Sequence, residues 1–388
     1  MNVSLPSGLN RFQNLALGVG VTGVAMSAVG AIFDPRQFFI SWLFAVLFWL
    51  GLSLGCFAVA MIHHLTGGRW GDATRRFLEA GYMTLPLMAV LFLPVCLGLH
   101  DLYSWARPAE VAASEILRHR AHYLNPSAFV LRAVFFFAIW IIMANRLRHW
   151  SREQDATTDL SATRRARALS GPGLVIYALT VTFAWVDWVM SLEPQWYSTM
   201  FPIIICGGQI LAAFALSIIA LARLREHPPL AGLIAPGHFN QLGNLLLTFV
   251  MFWTYVCFGQ LLIIWAGNLP HEILWYRHRI AGGWKWIAGF LGVFNFFLPF
   301  FLLLFRASKR QPRALAVLAI IVFVSQVVNA YWLVEPSFFP DGIHVHWVDF
   351  TAPIGIGGLW LANGLAALKR AALLPRNDPR ISFTFAHA

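Results

Sequence analysis

Residues 39–62 read FISWLFAVLFWLGLSLGCFAVAMI, and His63-His64-Leu65-Thr66-Gly67-Gly68-Arg69-Trp70-Gly71 follows without a break. The first stretch holds no charged residue, and a helix needs about 20 apolar residues to cross a bilayer. The second stretch ends that run and leads into another that starts near Leu78, with Glu79 at its head. Two imidazoles and a carboxylate thus gather where two apolar helices meet water. Ionisable groups there are costly in lipid and face a protein interior or a water path. The Gly67-Gly68 pair lets the chain turn sharply. The plainer reading is a polar loop with interface histidines.

The same alternation of apolar run and polar joint fills the chain. Of its 388 residues, 59% are hydrophobic and 12% charged, and the mean hydropathy is +0.65. A soluble protein carries about a quarter charged residues. The chain is therefore read as all-α, integral to a membrane and polytopic. Continuous runs point to helices rather than alternating strands. Ten spans are expected, at 15–32, 39–62, 78–99, 127–147, 173–192, 200–222, 242–267, 284–305, 315–333 and 350–368. The first follows a single basic residue, Arg11, without a convincing cleavage site, and reads as a retained helix.

Charge sets the orientation. The face that carries both termini holds 20 of the 28 Lys and Arg residues and the other face 7, with Arg132 inside a span. By the positive-inside rule both termini are cytoplasmic. The basic excess is thus a topology signal and argues against nucleic acid as a partner. The longest cytoplasmic connection, 146–170, reads as a solvated or headgroup-facing segment. The outer loop Glu335-Pro336-Ser337-Phe338-Phe339-Pro340-Asp341 reads as interface-belt material, with a docking surface as the alternative.

Spans 2–5 and 6–9 run in the same directions, so two four-helix bundles, 39–192 and 200–333, fit within one membrane domain of 1–388. Spans 1 and 10 would lie at the periphery. Small residues Gly51, Gly55 and Cys56 in span 2, and Cys206, Gly207 and Gly208 in span 6, would permit close helix contact.

Topology assigns each polar group a depth. His63, His64 and Glu79 fall at the cytoplasmic end, and His100 and Asp101 at the outer end of span 3. Asp187 lies about 14 residues into span 5, roughly 21 Å along the axis. Arg132 in span 4 has a similar depth, so the two are expected to face each other or share water. Between the levels lie only neutral polar groups such as Tyr177, Thr180 and Thr182. This arrangement suits two proton half-channels. It also suits interface anchoring with one structural ion pair.

In the second half, Gln209, Asn244, Gln260, Asn295, Gln326, Asn329 and Asn363 are amides in or near spans, without an accompanying carboxylate, and read as helix-to-helix glue. Cys56, Cys96, Cys206 and Cys257 lie in apolar runs with no CxxC pair and read as packing residues. All 13 histidines lie at span ends or in loops, which does not suit a membrane haem, and no cysteine framework for an iron–sulfur cluster occurs. No Walker loop is present.

Several stretches together carry a family resemblance: His63 to Gly71, then Leu97-Gly98-Leu99-His100-Asp101-Leu102-Tyr103, Ser170-Gly171-Pro172-Gly173, and Asp187-Trp188-Val189-Met190-Ser191-Leu192-Glu193-Pro194 with Trp196 and Ser198. They resemble the smaller NrfD-like (polysulfide-reductase-like) membrane subunit of bacterial alternative complex III, a quinol:cytochrome c oxidoreductase of the respiratory chain. That subunit is often labelled ActF or a second quinone-binding subunit. The resemblance covers nearly the whole chain. It implies ten helices in two bundles in the bacterial cytoplasmic (inner) membrane. It implies as partners a larger homologous quinol-binding membrane subunit, an outer iron–sulfur subunit, c-type haem subunits and, in some assemblies, a terminal oxidase. It also implies a role in proton translocation. No stretch forms a quinone motif.

The expectation is a subunit without a redox centre of its own, with haem c and iron–sulfur clusters on its partners. It would support electron transport and could pass protons along His63, His64, Glu79, His100, Asp101, Arg132, Tyr177 and Asp187. A purely structural anchor and a secondary transporter are the rival readings. The glycine pairs Gly207-Gly208 and Gly282-Gly283 are the only hint of the transporter's broken helices.

Overall fold

A computed structural model describes residues 8–228, 230–374 and 377. It is 84% helical, without a strand among those residues. Among the described residues ten helices are long and apolar enough to cross a membrane. They are α1 (Gly8–Phe33), α2 (Pro35–Thr66), α3 (Arg69–Leu97), α4 (Pro126–Ala156), α5 (Ser161–Leu192), α6 (Phe201–Leu224), α7 (Pro236–Gly267), α8 (Pro270–Leu304), α9 (Pro312–Ser337) and α10 (Val348–Lys369). The chain is thus a multi-pass membrane protein.

Most helices overrun the apolar stretch that marks them. Local capping decides their ends, and hydropathy records only the part a bilayer would bury. Proline stands at the start of α2, α4, α7, α8 and α9, where its missing N–H costs nothing. The Asp34 and Asn125 carboxylate and amide oxygens accept from the Gln37 and Ala128 backbone N–H groups, capping α2 and α4.

Two corrections follow. The joint at 63–71 is almost wholly helical: α2 continues to Thr66 and α3 starts at Arg69, leaving Gly67 and Gly68, both at positive φ, as the turn. The connection 146–170, expected on the cytoplasmic side, is likewise mostly helix, since α4 runs to Ala156 and α5 begins at Ser161.

α2 is the axis of the fold. In its most apolar window 94% of residues are buried, against 28% for α1 and 22% for α8. It packs on α1, α3, α5, α6, α9 and α10. α2, α3, α4 and α5 adjoin in a ring, as do α6, α7, α8 and α9. The two rings meet where α2 crosses α6. There Gly55 lies so close to the Gln209 backbone carbonyl that a Cβ would overlap it. We expect Gly55→Val to lower stability by at least about 1–3 kcal/mol through forced separation of α2 and α6. Thermal unfolding in detergent checks this, and a wild-type midpoint would refute the close crossing.

α1 lies on α10 through glycines on both helices; a Cβ on Gly23 would stand 2.6 Å from the Gly355 Cα. Such small-residue seams bring membrane helices together by backbone contact.

α8 is the least regular span. Gly282 and Gly283 take positive φ between its amphipathic start and its apolar part, and residues 292–297 form a π-helical turn around buried Asn295.

Candidate functional site

At the end of the molecule where α2 meets α3, two charged clusters form. His63 Nε2 lies 3.3 Å from the Asp72 carboxylate, and its ring meets Trp70 edge-on. Gly71 sits against the imidazole where no side chain would fit. His64 is buried beside it.

Glu79 does not join the histidines in that pair, which corrects the grouping expected from the sequence. It is fully buried among arginines. Arg75 Nε donates to Oε1 at 3.0 Å and Arg76 Nη1 to Oε2 at 2.7 Å, from the preceding turn of α3. From α4, Arg148 Nη1 donates to Oε2 at 2.6 Å and Ser151 Oγ to Oε1 at 2.6 Å. Arg76 also grips Asp155 through both carboxylate oxygens, at 2.5 and 2.6 Å. Arg148 reaches on to the Ala367 carbonyl of α10 at 2.9 Å.

The three guanidiniums, counted as loop charges by hydropathy, are only 4%, 1% and 3% exposed. The spacing Arg75-Arg76-x-x-Glu79 puts i,i+3 and i,i+4 partners on one helix face, and that signal is visible in the sequence.

Toward the opposite end of α4 and α5, Arg132 and Asp187 meet. Nε donates to Oδ2 at 2.6 Å and Nη2 to Oδ1 at 3.1 Å. Asp187 is fully buried and the Arg132 side chain 20% exposed. Arg132 Nη1 also donates to the Tyr123 carbonyl at 3.0 Å, and the guanidinium stacks 3.9 Å from the Tyr123 ring centre. Tyr103 Oη donates to the Trp188 carbonyl at 2.9 Å, closing one side of this site.

His100 is exposed and Asp101 half-buried. Neither makes a hydrogen bond or ion pair with the Arg132–Asp187 couple, so the expected outer group of four reduces to two in contact.

Between the two levels, Tyr177 Oη donates to Gln209 Oε1 at 2.7 Å, joining α5 to α6. Trp140 Nε1 donates to Thr180 Oγ1 at 2.8 Å, joining α4 to α5. A cavity of about 50 Å³ adjoins Gln209 and is lined also by Gly51, Trp185, Gln326 and Asn329. That is room for a few waters. Gln209 Nε2 and Asn295 Nδ2 lie buried without a protein partner nearby in the structure, while Gln326 Nε2 donates to Asn295 Oδ1 at 3.0 Å.

Carboxylates also mark the α6–α9 half, contrary to the amide-only reading. Glu193, after α5, accepts from Arg279 Nη1 at 2.6 Å and Ser337 Oγ at 2.7 Å, with His278 Nδ1 at 3.1 Å. Burial alone would raise this carboxyl; the Arg279 charge and the three hydrogen bonds overcome that and hold it at about 2. It is therefore ionised at any ordinary pH. Glu335 is fully buried at the end of α9, and Phe338 and Phe339 pack half-buried against the core. The loop read as belt material instead folds onto the protein, because Ser337 bonds Glu193 and Arg279 and the Phe339 carbonyl accepts from Trp284. The sequence signal of Glu193 and Glu335 was weak, since each sits just past an apolar run where loop residues are expected.

Compared with known proteins, the chain matches no family model and no curated protein.

Proposed function

We propose that this chain is a membrane subunit of a bacterial respiratory quinol-oxidising complex and that α2–α5 carry protons through it. The family resemblance supplies the complex. The observation that carries the proton role is the Arg132–Asp187 couple buried at one end of α4–α5, with the His63–Asp72 pair at the opposite end. Tyr177, Thr180 and the small cavity beside Gln209 lie between them. Electrons pass on other subunits, from quinol on the larger sister chain to iron–sulfur and haem c centres. The two rings of helices support a reading as two four-helix bundles, and the Lys/Arg asymmetry supports cytoplasmic termini.

In this reading His63 and His64 take up protons from the cytoplasmic side. Neutral imidazole accepts and imidazolium donates near physiological pH. Asp187 receives the proton at the outer level, and Arg132 favours its release by stabilising the carboxylate. Glu79 becomes a brace between α3, α4 and α10.

That brace favours a second reading, a structural anchor for the complex. Asp187→Asn separates the two. It keeps the volume and a hydrogen-bond acceptor, and Arg132 can turn its charge toward the surface. We expect assembly and quinol oxidation to be retained and proton output per electron to fall in sealed vesicles. Unchanged output would leave only the anchor.

A further inference from the structure

A buried carboxyl group without a donor lies outside the proposed path. Glu335 is fully buried, and no hydrogen-bond donor reaches either of its carboxylate oxygens. The Asp349 carboxylate of α10 adjoins it. Asp349 is built differently. Gln37 Nε2 donates to Oδ1 at 3.1 Å, Ser41 Oγ to Oδ1 at 2.6 Å, and the His346 backbone N–H to Oδ2 at 2.7 Å.

The other polar groups at this end are engaged elsewhere. Tyr331, one turn before Glu335, donates its hydroxyl to the His344 carbonyl at 2.6 Å. Arg279 reaches the Leu333 carbonyl and Ser337 but pairs with Glu193. Among the described residues no cation pairs with Glu335 or Asp349.

Two carboxylates that share a dry site without a cation cannot both be charged. The one supplied with donors takes the charge, and the one supplied with none is the acid. We infer that Glu335 and Asp349 form a proton-binding dyad that holds one proton, carried by Glu335, with Asp349 as its acceptor. Transfer breaks the Glu335 O–H bond and forms one on an Asp349 oxygen. The negative charge moves the other way, and the pair keeps one charge throughout.

Half-buried His346 and exposed His344 lead from Asp349 to the surface. On the other side Asp349 and Tyr331 edge an apolar cavity of about 660 Å³ lined mainly by α1, α2, α9 and α10. The dyad thus gives the α6–α10 half a proton site of its own. Its use in translocation rests on the reading proposed above; the presence of the proton does not.

Infrared difference spectra of the full chain, purified with its native partners, test this in light and heavy water at neutral pH. We expect a carboxylic-acid carbonyl band that shifts on deuteration, vanishes in Glu335→Gln and moves in Asp349→Asn. A band that survives Glu335→Gln, or no such band in the wild type, overturns the dyad. Should Glu335→Gln fail to fold, Asp349→Asn decides: a moved band supports the dyad, an unmoved one overturns it. None of these readouts needs electron transfer, so a failure of Asp187→Asn to change proton output leaves them intact.

Discussion

Glu79→Gln is expected to lower the thermal midpoint of the purified protein more than Arg148→Met or Arg132→Leu. Three guanidiniums, from Arg75, Arg76 and Arg148, converge on one carboxylate in a fully buried site. Gln keeps the shape and one acceptor oxygen but removes the charge. Asp155 then still faces the cluster through Arg76. Taking one member from a buried ion pair costs about 3–5 kcal/mol, because the other charge remains desolvated and unmatched, and here three guanidiniums lose the same anion at once. Arg148→Met should cost less, since Glu79 keeps Arg75 and Arg76, although the Ala367 carbonyl loses its donor. Tryptophan fluorescence during heating in detergent reads both. A Glu79→Gln midpoint equal to wild type would mean that the brace between α3, α4 and α10 is not what holds them.

Arg132→Leu is expected to be nearly as damaging, and for the opposite charge. Asp187 has no exposure of its own and draws both charged hydrogen bonds from Arg132. Leucine suits the surrounding helices yet leaves that carboxylate buried without a cation, again at about 3–5 kcal/mol. The double variant Arg132→Leu with Asp187→Asn should recover most of the loss, because a neutral amide needs only a hydrogen bond. Recovery distinguishes an unmatched charge from lost packing around Tyr123. If the single and double variants unfold alike, packing dominates.

The two cases differ in how far the sequence reveals them. The pairing of Arg132 with Asp187 is legible from depth alone. Each stands as a lone charge inside an apolar run, at a matched level on consecutive helices, and a lone charge in a membrane needs a partner. The partners of Glu79 are hidden because Arg75, Arg76 and Arg148 sit at the ends of apolar runs. Arginines there look like the cytoplasmic charges that set topology, and a single residue can serve both purposes. His63 illustrates the same limit: the sequence places it near Glu79, while Asp72, one helical turn into α3, is its partner. His100 and Asp101 share the outer level with Arg132 and Asp187, yet depth says nothing about which way a side chain points around its helix.

The sequence by itself determined the class, the number of membrane-spanning helices and the level of each polar residue along them. Those properties follow from transfer of residues between water and hydrocarbon, which accumulates along a contiguous run and needs no knowledge of neighbours. Only the tertiary structure decided which charges meet. It made α2 the buried axis, set Gly55 against the α6 backbone, gathered three arginines on Glu79, and left Glu335 without a donor beside Asp349. The reason is rotational: a turn of a helix about its own axis leaves every hydropathy sum unchanged, but it exchanges one set of facing side chains for another.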